Sequence, residues 1–157
     1  MRFSAAITRG CPHAPFKTGC LDALALLLLS SAAGAAELAA RQPLRIAGHV
    51  FQIEVAATPH QREQGLMGRT RLPADAGMLF VFEFAARHCF WMRNTPLPLS
   101  IAFIDDSGRI AGLADMQPHT DTLHCPATEV RYALEVQQGG FRQRGIAAGM
   151  QVSGLPR

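Results

Sequence analysis

Lysine is almost missing from this chain: of 15 basic residues in 157, one is a lysine, Lys17, and it falls near the start. Its absence from the rest marks a compositional bias and points to no chemistry. Serine is scarce as well. After residue 36 only Ser100, Ser107 and Ser153 occur, and no Gly-x-Ser-x-Gly is present, so a serine nucleophile is not expected. His-Glu-x-x-His and Gly-x-x-x-x-Gly-Lys-Ser/Thr are also missing, which removes the zinc-protease and phosphate-loop signatures. Net charge is small where it matters: from Ala36 to Arg157, 12 arginines face 11 acids, a net +1. A nucleic-acid partner would ask for a basic surplus there, so none is expected. With 48% apolar and 17% charged residues the chain is neither disordered nor collagen-like, and its length suits one domain.

No apolar run is long enough to cross a bilayer. The greasy core Ala23–Leu29, with the small residues that follow, extends about 14 residues beyond Asp22, against roughly 20 for a span. Arg2, Arg9 and Lys17 precede it, and Ala33-Gly34-Ala35 fits a small-residue cleavage site. Residues 1–36 therefore read as a signal peptide, with an uncleaved N-terminal anchor as the alternative. The expectation is a periplasmic or secreted protein that meets the membrane only through this segment before cleavage. Residues 37–41 form a linker and 42–155 a single domain.

Cleavage leaves two cysteines, Cys89 and Cys125. An even count in an oxidising compartment favours a disulfide between them, with free thiols or a metal site as alternatives. The dipeptides His88-Cys89 and His124-Cys125 supply nitrogen and sulfur for zinc or copper, and Met67, Met78, Met92 and Met116 could add thioethers. Adjacent strand residues face opposite ways, however, and methionines among aromatics are commonly core filler. No metal and no cofactor is expected; metal handling is the weakest of the functional options.

Hydrophobic alternation gives the architecture. Leu44–Ile46 and Val50–Val55 flank Ala47-Gly48, a hairpin signal. Thr58-Pro59-His60-Gln61 reads as a helix start with a capping box, the helix ending near Gly65 or Gly68. Strands are expected at Gly77–Phe84, Cys89–Met92, Leu99–Ile104, Arg109–Met116 and Val130–Val136, a helical turn at Phe141–Ile146 and a last strand at Met150–Val152. Asp105–Gly108 is a turn by composition. The fold class is all-β: a jelly-roll-like β-sandwich or partly closed barrel with one or two short helices.

Cys89-Phe90-Trp91-Met92 stands out because both of its faces would be apolar, as in a core strand or one lining a covered pocket. Arg93, Asn94 and Thr95 follow, a make-up suited to a small-molecule site. Arg62, Arg69 and Arg93, if they converge, would receive a carboxylate, phosphate or acidic sugar; otherwise they are solvated or paired internally. Asp105 either starts its turn or orients Arg93 or Asn94. The candidate ligand-binding set is Arg62, Met67, Arg69, Phe80, Trp91, Met92, Arg93, Asn94, Thr95 and Asp105. Catalytic residues are not identifiable.

The ordered set Arg62–Arg69, Gly77–Phe80, Phe90–Thr95 with Pro98-Leu99, Phe103–Asp105, Gly108–Ile110, Tyr132–Val136 and Gly145-Ile146 resembles the bacterial and archaeal family called domain of unknown function 192. The resemblance covers roughly residues 42–153. It implies a single β-rich, jelly-roll-like domain, often exported, and no established activity. Gly68 departs from the pattern, where the family often carries a larger residue. The functional expectation is a non-catalytic envelope module binding a small or acidic ligand or a partner. The alternative is an enzyme of unknown reaction using an Arg/Asn/Asp pocket.

Overall fold

A computed structural model describes residues 41–157. The expected signal peptide lies outside the described residues, as does all of the linker but Arg41.

Strands β1 (Gln42–Ile46) and β2 (His49–Ala56) form the expected hairpin. Ala47 and Gly48 both take positive φ, 49° and 81°, the combination that lets a two-residue turn match the strand twist. Helix α1 (Pro59–Gln64) follows. Thr58 caps it: its hydroxyl accepts from the Gln61 amide at 3.2 Å, and the Gln61 side chain accepts from the Thr58 amide at 3.0 Å. Gly65 ends the helix, and the chain returns as β3 (Ala76–Ala86), parallel to β2. Strands β4 (Leu99–Ile104), β5 (Ile110–Met116), β6 (Val130–Gln137) and β7 (Val152–Ser153) complete a single seven-stranded sheet in the order β5-β4-β6-β3-β2-β1-β7. A short 3₁₀ turn covers Arg142–Arg144. The sheet curls into a half-barrel, so the mainly-β expectation holds in its partly closed form.

Both faces of the sheet are covered. Leu79, Ile104, Leu134 and Val136 face one core with Phe51 and Phe141, while Met78, Phe80, Ile101, Phe103 and Ala133 face a second. Period-2 alternation along β3, β4 and β6 makes this division. Gly77 fits between them because a Cβ there would stand 2.7 Å from the Glu135 carbonyl oxygen, so β3 approaches β6 closely at that register.

The expected strand Cys89–Met92 is not one. It keeps a single antiparallel bridge, Phe90 to His124, closed by hydrogen bonds of 2.9 and 2.8 Å. Cys89 and Cys125 are disulfide-bonded, with Cα atoms 4.2 Å apart. That bond and the prolines at 96 and 98 tie the segment to the 119–125 loop instead of a sheet edge. Met92 is buried, but Trp91 is 43% exposed, so one flank of this segment stays open.

Candidate functional site

Glu135 is the anomaly in the fold. It lies on β6, flanked by Met78 of β3 and Ile101 of β4, in the middle of an apolar sheet face. Its side chain is buried, 5% exposed, and no donor among the described residues bonds its carboxyl. Burial alone pushes its pKa up to about 8, so the acid is largely protonated at neutral pH. Glu54 on β2 occupies the same lateral row, beyond Met78, and shows the contrast. Arg69 grips it through two nitrogens, and this pairing holds the Glu54 carboxyl below its ordinary range despite desolvation. Two carboxyls are buried on one face, and the described residues supply a partner to one.

A cleft of about 340 Å³ opens above Glu135. Phe80 and Phe82 from β3, with Phe90 and Trp91 from the bridged loop, make its walls. Phe90 meets Phe80 edge-to-face at 5.0 Å between centroids, and His88 stacks on Phe82 at 3.5 Å. These contacts lock the rings in place. Helix α1 gives the rim. The Arg62 guanidinium sits 5.2 Å from the Phe82 centroid and donates to the carbonyls of Ala57 and Val81, the latter at 2.9 Å. Gly65 leaves room for the Phe80 ring, which a Cβ there would meet at 3.3 Å. The loops are fastened to one another: Gly68 donates to the Asn94 carbonyl at 2.9 Å and Met92 to that of Thr120 at 3.0 Å.

Half of the expected ligand set lines this cleft: Arg62, Met67, Phe80, Trp91 and Thr95. The others have different places. Arg69 is committed to Glu54. Met92 is core. Arg93 pairs with Asp121 at 2.8 Å, its guanidinium 4.1 Å from the Trp91 centroid. Asn94 turns the chain at φ 58°. Asp105 is not an orienting group for Arg93 or Asn94: it accepts from the amides of Ser107 and Arg109, each at 2.9 Å, and closes its own turn. The arginines do not converge, because each finds a nearer acceptor. The disulfide takes both sulfurs out of the alternative metal set.

The expected set omits Glu135, Phe82, His88 and Phe90, which also line the cleft. Alternation over Val130–Val136 groups Glu135 with Arg131, the look of an ordinary wet face. Nothing local marks β6 as a central strand covered on both sides.

The chain matches the family model DUF192, described as Uncharacterized ACR, over residues 42–154. It is similar to a Sinorhizobium meliloti protein described as a candidate transcription regulator: 34% identity, TM-score 0.70, covering 73% of this chain and 93% of that one. It is also similar to a protein of unknown function from Novosphingobium aromaticivorans, at 33% identity and TM-score 0.70, covering 72% of this chain and 84% of that one. Among curated proteins no match is found.

Proposed function

The chain belongs to the DUF192 family, and from that footing we propose that it is an exported, non-catalytic module binding a small ligand in the cleft above Glu135. The observation that carries this reading is the unpartnered buried carboxyl under an aromatic-walled opening. That carboxyl meets solvent only through the cleft, and a ligand that donates to it there takes the place of water. The cleft volume falls at the lower end of small-molecule sites, roughly 300–1,000 Å³. Arg93, Asn94 and Asp105, the groups an Arg/Asn/Asp enzyme would use, are engaged elsewhere, which favours binding over catalysis. The signal-like leader and the disulfide both support an oxidising compartment. A transcriptional role gains no support from near-balanced charge or from helices of six and three residues among the described ones.

Trp91 is the single tryptophan and lines the cleft, so its emission reports occupancy directly. Titration with a panel of small aromatic and aliphatic compounds should give saturable changes in emission for some members. Replacing Phe80 by Ala should weaken those responses at least tenfold while the far-ultraviolet spectrum is kept. A panel that leaves Trp91 indifferent, or responses that survive Phe80→Ala, would refute the site.

A further inference from the structure

We infer that the cleft takes an organic ammonium ion, its nitrogen paired with the Glu135 carboxylate and its carbon skeleton laid against Phe80, Phe90 and Trp91. This rests on the small-ligand reading and names the ligand's class. Once the acid is ionised, at and above about pH 8, an anion beside it would be repelled with little screening. A cation gains twice: it pairs the carboxylate, and it meets the negative faces of aromatic rings. Arg62 already sits over Phe82 in this way; its Nη1 donates to two backbone carbonyls, and it forms no ion pair with Glu135.

The charged groups around Glu135 are few. Arg62 and Glu63 line the cleft from α1, and His88 from the loop. Arg131, on the same face of β6, is held by the Phe82 carbonyl and Asp106. Glu54, beyond β3, is matched by Arg69 and Arg41. From β3 and β4 the flanking residues are Met78 and Ile101, both apolar. Burial raises the free acid to a pKa of about 8, so ammonium binding below that pH must ionise it: the neutral acid and the ammonium give an ion pair and one proton passes to solvent.

The test is a Trp91 fluorescence titration with phenethylammonium, 2-phenylethanol and phenylacetate, three probes of one shape and different charge. At pH 8 the amine should bind at least tenfold more tightly than the alcohol, and phenylacetate weakest. Affinity for the amine should fall about tenfold between pH 7 and pH 6, where a proton must be displaced, and calorimetry in two buffers should show its release. The same slope should persist in H88N, assigning it to Glu135, and E135Q should make amine and alcohol equal. If E135Q does not fold, the pH slope and proton release of the unmodified chain decide. An alcohol or phenylacetate bound as tightly as the amine overturns the cation and leaves the cleft a ligand site. Silence from all three overturns both.

Discussion

Between pH 5 and pH 8 the protein should lose roughly 3–4 kcal/mol of stability that an E135Q variant keeps. The figure follows from a carboxyl with an ordinary value of 4.5 that burial raises to about 8 in the fold, at about 1.4 kcal/mol per pH unit. The unfolded chain gives up this proton from about pH 4.5, while the folded chain holds it until about 8. Folding therefore opposes ionisation across that window. The contribution is complete below the unfolded value, declines as pH rises, and is gone above the folded one. Glu54 and Asp105 are shifted the other way, Glu54 chiefly by the Arg69 hydrogen bond and Asp105 by hydrogen bonds from Ser107 and Arg109 that outweigh its burial. Their contributions are lost on acidification instead, and they cancel when native and E135Q chains are compared at each pH. Urea unfolding at pH 5, 6.5 and 8 measures the difference. Parallel curves for the two proteins would show that Glu135 is solvated or paired.

Breaking the Cys89–Cys125 bond should have a comparable effect. It closes a loop with 36 residues of separation, and the chain-entropy model assigns about 3–4 kcal/mol to a loop of that size. Cys89 also lines the cleft, and the bridged loop carries Phe90 and Trp91. The C89S/C125S double variant should therefore lower the unfolding free energy by that amount, bring the midpoint down with it, and loosen the aromatic wall, weakening any cleft ligand at least tenfold. Melts with and without reductant check the first part and Trp91 titrations the second. An unchanged midpoint after complete reduction would show that the Phe90–His124 bridge and the neighbouring backbone bonds hold the loop alone.

The strands were legible because alternation is local. Leu99–Ile104 and Val130–Val136 read as strands from their own residues, as did the cap at Thr58 and the Asp105 turn, whose side chains bond within four positions. Local composition misleads at the bridged loop for the same reason. Phe90-Trp91-Met92 has strand composition, but a bond to Cys125 and the Pro-rich exit decide its path. Arg62, Arg69 and Arg93 show the limit from the side of charge. Spacing indicates that they are near one another in the chain, whereas Glu54, Val81 and Asp121, the groups that absorb them, depend on topology. Glu135 is the largest such gap. Only the order β4-β6-β3 puts this strand at the centre of the sheet, and among the described residues α1, the bridged loop and the β3 aromatics line the cleft over its polar residue.

The most direct measurement is a ¹³C titration of the Glu135 carboxyl from pH 5 to pH 10, with and without saturating phenethylammonium. A midpoint near 8 in the free protein, moved down by at least one unit in the presence of the amine, is the expected result. A midpoint near 4.5 in the free protein, or one that saturating amine leaves in place, would contradict a ligand site built on this buried acid.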